Sequence, residues 1–391
     1  MRKRSCLTIL IVSLALLVIS APAMAVHVRE EAGPNVFSSI SEKVSMSGLV
    51  IFDYYWVDTD LRTGYDPALE TYKDSHSDFT ATNVILDFDA EVNDWVNVYA
   101  ALYYEETGVS YKDLYVYTVP GNTEPDPSIT WDEAIITLGN TDEFPLYFSA
   151  GKMYVPFGAQ QTHMVHDPLV DAPVTLIFGE TQRNAILLGA ELGGLSVSAC
   201  TFKGHWDNNV GSQFSVDANY ELANEGGLDL LIGASYLSNM AEADNITEIV
   251  EEHMAANTEL KNEVGAYAVY LHVGAAGAFF EAEYMSAVDS FDPNELDKKN
   301  AGLKGAEPWV LNLEAGYGLE VMGKSLEIDV KYAMTDELLV LPEERYGICA
   351  HLGIFPNTTL SAGYCHDNFD KNNYLKIDEA DMVISQLTVN F

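Results

Sequence analysis

The chain has 391 residues, of which 59 are acidic and 20 basic, so its formal net charge is −39, yet 48% of it is apolar and 11% is aromatic. So apolar a composition excludes an intrinsically disordered acidic chain. The charge also excludes nucleic acid as a partner, because the chain would repel phosphates.

The first 25 residues have the pattern of a secretory signal peptide. A basic segment, Arg2–Arg4, precedes an apolar run over residues 7–19, and residues 23–25 (Ala-Met-Ala) form a small-x-small cleavage site. An uncleaved anchor helix is the alternative, but the apolar run is short for a membrane span and Pro22 follows it. Residues 1–25 are therefore predicted to be removed, which changes the formal charge to −39 − 3 = −42.

Segments of about ten residues in which apolar and polar residues alternate recur along the rest of the chain. A soluble sandwich also alternates, but its strands are shorter. Strands of this length fit a tilted membrane crossing, and lipid does not tolerate an open sheet edge. The pattern predicts an all-β, antiparallel transmembrane β-barrel with an apolar lipid face and an acidic lumen. Its sixteen expected strands are 44–57, 80–92, 95–106, 130–139, 144–154, 183–192, 195–203, 212–223, 227–237, 263–273, 276–286, 308–319, 324–334, 344–354, 358–366 and 381–391.

Short and long connections alternate between these segments, as they do between periplasmic turns and outside loops. The expected short turns, rich in Gly, Asn and Pro, are 93–94, 193–194, 224–226, 274–275 and 355–357. An even strand count places both ends of the barrel in the periplasm. A short periplasmic segment, residues 26–43, is expected to precede the first strand. Phe391 continues the apolar row of the last strand, which is usual in outer-membrane barrels. We therefore expect one barrel domain, residues 44–391, in the bacterial outer membrane.

Five segments in the first half of the chain resemble one family of outer-membrane proteins. They are Ser47–Val50, Leu86–Val96, Trp131–Asn140, Ala150–Gly158 (AGKMYVPFG) and Phe178–Arg183 (FGETQR). This run resembles the LbtU-family siderophore porins, most clearly over residues 47–200. The resemblance implies a passive, TonB-independent channel whose solute is a ferric siderophore.

A channel needs no catalytic residues or cofactor, and none is expected here, because lumen width and wall charge select the solute. The inward positions carry many carboxylates and few bases, so their field should favour cations. The alternative is that these carboxylates only solvate a wide tube. The expected wall residues are Asp87, Asp89, Glu91, Glu133, Asp217, Glu221, Glu281, Glu283, Glu314, Glu327 and Asp329.

The connection over residues 155–182 differs from the others because it is both long and apolar. Free in water it would expose an apolar patch, so folding into the barrel mouth is favoured over packing outside. The inserted loop would narrow the pore. Arg183 ends the connection and, through the FGETQR resemblance, is expected to be a basic contact at the constriction. Lys152 is a second candidate, although the side of the strand on which it lies is ambiguous.

Two other features offer alternatives to a simple channel. His163 and His166, followed by Asp167, raise the possibility of a metal site or an outer-membrane protease. A His-x-x-His pair is a small ligand set for zinc, and no nucleophile motif accompanies it, so we expect no metal site and no enzyme. Residues 239–260 predict a short helix that either packs on the barrel rim or binds a partner. The acidic stretch 289–297 suggests Ca²⁺ binding, but it lacks the spacing of an EF-hand loop, so a solvated loop is favoured.

Three cysteines remain after signal cleavage. Cys349 and Cys365 are equally far from Asn357 on consecutive strands, and both are expected to face inward. In an oxidising periplasm such a pair should form a disulfide and leave Cys200 as a thiol. In the alternative, the register slips by two residues and no bridge forms.

Together these patterns predict an outer-membrane porin, with ferric-siderophore uptake implied by the resemblance. Two alternatives remain open. One is a general, cation-preferring diffusion porin; the other is a surface receptor or adhesin whose pore is blocked by residues 155–182. The expected partners are outer-membrane lipid, lipopolysaccharide and a transported small solute.

Overall fold

The computed structural model describes residues 43–61, 75–105, 128–159, 173–206, 209, 211–225, 227–253, 260–296, 305–338, 341–373 and 377–391. Within these ranges the chain forms sixteen β-strands, two α-helices and one short 3-10 helix. No helix of the described part is long and apolar enough to cross a bilayer. The expected signal peptide, and all but the last residue of the segment 26–43, lie outside the described residues.

The strands form one closed antiparallel barrel in which each strand pairs with its sequence neighbours and β1 pairs with β16. They are β1 (Val44–Leu61), β2 (Ser75–Asn93), β3 (Val96–Glu105), β4 (Ser128–Gly139), β5 (Leu146–Tyr154), β6 (Gln182–Leu192), β7 (Leu195–Phe202), β8 (Gln213–Glu225), β9 (Leu228–Leu237), β10 (Ala266–Ala275), β11 (Ala278–Ala287), β12 (Trp309–Val321), β13 (Lys324–Asp336), β14 (Glu344–Phe355), β15 (Thr358–Asn368) and β16 (Ile377–Asn390). The helices are α1 (Val174–Gly179), α2 (Asp244–His253) and the 3-10 helix Met240–Glu242. The predicted sixteen-stranded barrel is confirmed.

The two faces of the wall follow the alternation in the sequence. Along β6, Ile186 and Leu188 are exposed on the outside, whereas Ala185 and Leu187 are buried inside. Aromatic rings also meet on the outer surface near the loop ends of the strands, where Tyr332 and Tyr346 lie 5.1 Å apart. An apolar outer band bordered by aromatic rings is the surface of a barrel embedded in an outer membrane.

Barrel closure depends on the contact between the beginning of β1 and the residue that follows β16. Gly48 N–H donates to the Phe391 carbonyl at 2.8 Å, and Phe391 N–H donates to the Gly48 carbonyl at 3.0 Å. A Cβ atom on Gly48 would lie 2.5 Å from Phe391 Cζ and 2.9 Å from the Ile85 carbonyl oxygen. Glycine is therefore needed for the seam to close with the Phe391 ring over it.

Three of the expected turns lie later in the chain than predicted, because β2 extends through Asn93, β8 through Glu225 and β10 through Ala275. Gly274 and Ala275 continue the β10 ladder and pair with Asp229 and Leu228 of β9. The turn lies instead at residues 276–277, where both residues have positive φ, 53° and 82°. Such backbone angles suit the two-residue turn whose twist matches that of the flanking strands. The prediction of a turn at 274–275 was therefore wrong by two residues.

Replacing Gly48 with alanine should weaken barrel closure, because the new methyl group overlaps Ile85 and Phe391. Overpacking of this kind costs about 1–3 kcal/mol. Urea unfolding of protein refolded into lipid vesicles measures the loss. Gly318→Ala is a matched control, since its Cβ would meet atoms at 3.7 Å, an ordinary contact. Equal stability of the two variants would contradict this account of the seam.

Candidate functional site: the lumen and its inserted segment

The chain that follows β5 turns into the barrel. Gly158 N–H donates to Ser235 Oγ on β9 at 2.7 Å, and Ala159 N–H donates to Glu283 Oε1 on β11 at 2.5 Å. Helix α1 returns across the lumen and contacts β11, β12 and β13. The described parts of the connection, which we call the inserted segment (residues 155–159 and 173–181), confirm the predicted inward fold. Residues 160–172, with His163, His166 and Asp167, lie outside the described ranges.

The inserted segment approaches the β11 wall closely at two glycines. A Cβ on Gly158, whose φ is +81°, would lie 2.2 Å from Met285 Cε. A Cβ on Gly179 would lie 2.9 Å from Met285 Sδ. Both the incoming and the returning chain are thus packed against one methionine side chain. A larger residue at either position would displace the Met285 side chain, and at Gly158 it would also clash with the Glu283 carboxylate.

The mouth above the inserted segment is filled by apolar side chains from several connections. Helix α2 contacts α1. Ile246, Ile249 and Val250 are buried in one cluster with Ile177 and Phe178. The helix expected within residues 239–260 is therefore confirmed, and it packs inside the mouth.

Arg183, at the start of β6, holds that strand to the β9–β10 connection. Its guanidinium donates to Asp244 Oδ1 and, at 2.6 Å, to the Glu242 carbonyl oxygen. Asp244 Oδ2 in turn accepts the Gln182 N–H at 2.9 Å. The side chain of Arg183 is only 16% exposed. The charge of Arg183 is therefore matched by carboxylates, and its contacts tie the start of β6 to the β9–β10 connection.

Other carboxylates at the mouth also join neighbouring connections. Buried Glu242 accepts the His205 N–H at 2.6 Å. Buried Glu295 accepts the Lys261 N–H, and the Lys261 ammonium donates to Asp292 at 2.8 Å. The hydrogen bond from Lys261, assisted by that of Asn294, holds the pKa of the Asp292 carboxyl down to about 2. These bonds fix the mouth connections to one another.

The wall covered by the inserted segment carries both bases and acids. Glu314 and Asp329 face inward there, as the alternation predicted, but each is buried beside a basic side chain. Ion pairs join β12 to β13 through Lys331–Glu314 (3.0 Å), β13 to β14 through His351–Asp329 (3.1 Å), and β14 to β15, beside the covered strands, through Arg345–Asp367 (2.6 Å). Burial of a charge requires such a partner. Glu314, Asp329 and Asp367 are therefore each matched by a base, and these bases were not among the expected site residues.

Three more of the expected acids are also engaged. Asp217 accepts hydrogen bonds from the Tyr270 hydroxyl and the Asn219 amide, both at 2.8 Å. Glu281 contacts His272 Nδ1 at 2.8 Å. Glu283 accepts the hydrogen bond from the Ala159 N–H that was described above. Two other expected acids, Glu221 and Glu327, lie on inward rows toward the periplasmic turns, and Glu327 borders a cavity of about 560 Å³.

The opposite wall, formed by β2, β3 and β4, has a different composition. Asp87 and Asp89 face inward and are half-buried, and their partners are neutral: the Tyr99 hydroxyl at 2.7 Å and the Asn97 amide at 3.0 Å. Glu91 and Glu133 share this wall. The described inward side chains of β2–β5 include no Lys, Arg or His. The lumen therefore has one covered, charge-paired wall and one accessible, acidic wall.

Lys152 does not belong to the lumen. It pairs with Ala134 on β4 and Asn184 on β6, on the same outward row as exposed Ile186. Its ammonium donates to the Trp131 carbonyl oxygen at 2.6 Å. The strand phase, which the sequence left ambiguous, puts Lys152 on the outer surface, so its inclusion among pore residues was wrong.

The expected disulfide is also absent. Cys349 lies opposite Gly363, and Cys365 lies opposite Gly347, because the β14–β15 register shifts between residues 353 and 355. The two cysteines are thus diagonal neighbours. Diagonal side chains lie about 7–8 Å apart, whereas the Cβ atoms of a disulfide lie about 3.5–4.5 Å apart. None of the described cysteines is in a disulfide, so the register slipped by two residues is the correct alternative.

Comparison of the sequence with protein families and curated proteins identifies relatives but no family. No family model matches the chain. A UPF0422 protein of Coxiella burnetii is 29% identical over 321 residues, which are 80% of this chain and 63% of that protein. The chain thus spans less than two thirds of the length of this curated relative.

Solved structures share the barrel at low sequence identity. The outer membrane channel DcaP of Acinetobacter baumannii has a TM-score of 0.53 and 12% identity, over 89% of this chain and 97% of that one. An anion-selective porin from Comamonas acidovorans has a TM-score of 0.53 and 12% identity, over 89% and 99%. The chain therefore has the fold of bacterial outer-membrane channels.

Proposed function

We propose that the chain is an outer-membrane porin for passive, TonB-independent passage of small solutes, with a preference for cations. One observation carries the proposal: the inserted segment covers the wall where acids are paired with bases and leaves accessible the wall where they are not. The proposal includes removal of residues 1–25, a short periplasmic segment at 26–43, and contact of the barrel exterior with lipid and lipopolysaccharide.

Charge of one sign on an accessible wall determines the field in a channel. Low-dielectric walls concentrate that field in the aqueous path, so unpaired carboxylates raise the local concentration of cations. The buried ion pairs contribute little, because their charges cancel at short distance. The inserted segment also narrows the lumen, which favours small solutes. Selectivity should therefore depend on Asp87, Asp89, Glu91 and Glu133.

Reversal potentials across a potassium chloride gradient test this proposal. The protein in a planar bilayer should prefer potassium, and the preference should fall as ionic strength rises. Asp87→Asn combined with Glu133→Gln should reduce the preference, because both changes remove charge from the accessible wall. Asp142→Asn combined with Glu143→Gln, both on the exposed turn between β4 and β5, removes the same two charges and is the matched control. Anion preference of the unaltered protein would refute the acidic-wall mechanism.

The LbtU resemblance supports a narrower proposal, uptake of a ferric siderophore. The acidic wall would repel a polycarboxylate complex, so a neutral or cationic ferric complex is the better fit. A strain lacking the gene should then grow poorly on a ferric hydroxamate as its iron source and normally on ferrous iron. Normal growth on the hydroxamate would contradict this narrower proposal without affecting the channel.

The packed mouth favours a second candidate, a surface receptor or adhesin with a closed pore. The buried cluster of α1 and α2 is the specific observation behind it. Conductance separates the two candidates: folded protein that leaves the bilayer silent would support the receptor. Steady ionic current would support the porin.

A further inference from the structure

A cavity of about 250 Å³ lies in the lumen where the chain leaves β5. The inner faces of β4–β8 form its wall, and Pro156 of the inserted segment borders it. Glu133, which belongs to the accessible acidic wall, borders it too, so a solute that enters the channel along that wall reaches the cavity. None of the functions considered so far uses this cavity as a binding site.

One row of directly opposed residues crosses the cavity wall. Tyr147 on β5 pairs with Gly189 on β6, and Gly189 pairs with Ser198 on β7. Ser198 in turn pairs with Asp217 on β8. Opposed residues on one face of a sheet have Cβ atoms about 4.5–5.5 Å apart. An aromatic ring, a hydroxyl and a carboxylate are thus presented side by side, within reach of one small ligand.

Gly189 lets the Tyr147 ring lie against the wall. A Cβ atom on Gly189 would lie 2.2 Å from Tyr147 Cζ, so any other residue there would displace the ring. The ring is half-buried and borders the cavity, so its side away from β6 is available to a ligand. The face of an aromatic ring is apolar and suits the C–H groups of a ring-shaped ligand.

The Ser198 hydroxyl is the observation that points to a ligand. Ser198 is 7% exposed, borders the cavity and has no hydrogen-bond partner among the described residues. The unpartnered polar atoms that are fully enclosed by protein do not include its oxygen, so the hydroxyl keeps surface toward the cavity. A hydroxyl left without a partner in so confined a place is unfavourable. A ligand with a polar group opposite Ser198 would remove that cost.

The other polar groups of the cavity include donors as well as acceptors. Asp217 is held by the Tyr270 hydroxyl and the Asn219 amide, both at 2.8 Å, and its carboxylate has lone pairs left to accept further bonds. The hydroxyls of Thr137 and Ser149 lie 2.9 Å apart, and either can donate to the other. A cation brings only donors and an anion only acceptors. A ligand whose own groups are hydroxyls matches such a lining better than either ion.

We propose that this cavity binds a neutral polyhydroxylated solute of the size of one monosaccharide, which rests on the proposed function and names a substrate class. The volume corresponds to about eight water molecules, enough for one sugar ring. That ring stacks on Tyr147, and its hydroxyls bond to Ser198 and Asp217. Glu133 and Asp217 repel a phosphorylated sugar, so the site selects the neutral form. Among the described residues, no three His, Cys, Asp or Glu side chains are placed to hold a metal ion together.

Saturation-transfer NMR of methyl α-D-glucopyranoside with the folded full chain, in a detergent without a sugar headgroup, tests the proposal. The unaltered protein should bind the glucoside saturably. Ser198→Ala should weaken binding about fivefold, the loss expected for one neutral hydrogen bond. Tyr147→Leu should also weaken binding, whereas Tyr147→Phe keeps the ring and should bind like the unaltered protein. Glucose 6-phosphate should bind about tenfold more weakly than the glucoside, because like charges repel.

Ser325→Ala is the matched control, because it removes the same hydroxyl from β13, where Ser325 borders a different cavity. Heat-modifiable gel mobility identifies which variants are folded, and Ser198→Ala serves if Tyr147→Leu does not fold. Absence of saturable binding, or equal binding by Ser198→Ala and the control, would overturn the inference while leaving bilayer conductance as evidence for the porin. Displacement of the glucoside by an equal concentration of butylammonium chloride would also overturn it, in favour of a cation site. Saturable binding by a protein that leaves the bilayer silent would support the site and contradict the porin.

Discussion

Burial of the apolar residues between β5 and β6 is the constraint on which the lumen depends. Val174, Ile177 and Phe178 belong to a connection that would otherwise stand in water, and burying each such side chain contributes about 1.5–3 kcal/mol. The barrel interior provides the available apolar partners, on α2 and around Met285. The connection therefore crosses the lumen, and its position decides which wall remains accessible.

The charge distribution follows from that position. Where α1 covers β12 and β13, carboxylates lose their water and persist only beside Lys331 or His351. Where β2–β4 remain accessible, water solvates Asp87 and Asp89 and no base is needed. A solved anion-selective porin shares the barrel, so the fold by itself does not set the sign of selectivity. In this chain the sign depends on which charges the inserted segment leaves uncovered.

The alternation of apolar and polar residues was enough to predict the number, order and inner face of the strands. It was not enough where a single residue changes the phase. Lys152 was ambiguous because AGKMY contains no clear alternation, and the Cys349–Cys365 register depended on an irregularity near Gly353. The turn at 276–277 was missed because Ala276 is an uncommon residue at positive φ. The turn and disulfide errors concern pairing between strands, which sequence periodicity does not specify.

The candidate site was predicted less completely than the fold. The inward acids were found because they alternate with apolar residues, but their partners were not, since Lys331 and Arg345 are joined to acids on other strands. Lys331 shares the alternation of β13 with Glu327 and Asp329, so its inward direction was available from the sequence.

Conductance of a variant without the inserted segment tests the central claim most directly. Val155 N–H donates to the Thr181 carbonyl at 2.8 Å, so the two ends of the connection already lie side by side. Replacing residues 157–179 with two glycines should join β5 to β6 without distorting either strand. If the segment narrows the lumen and covers the charge-paired wall, the folded variant should conduct severalfold more and lose part of its cation preference, because Lys331 on β13 becomes accessible. Unchanged conductance and selectivity in a folded variant would contradict the account.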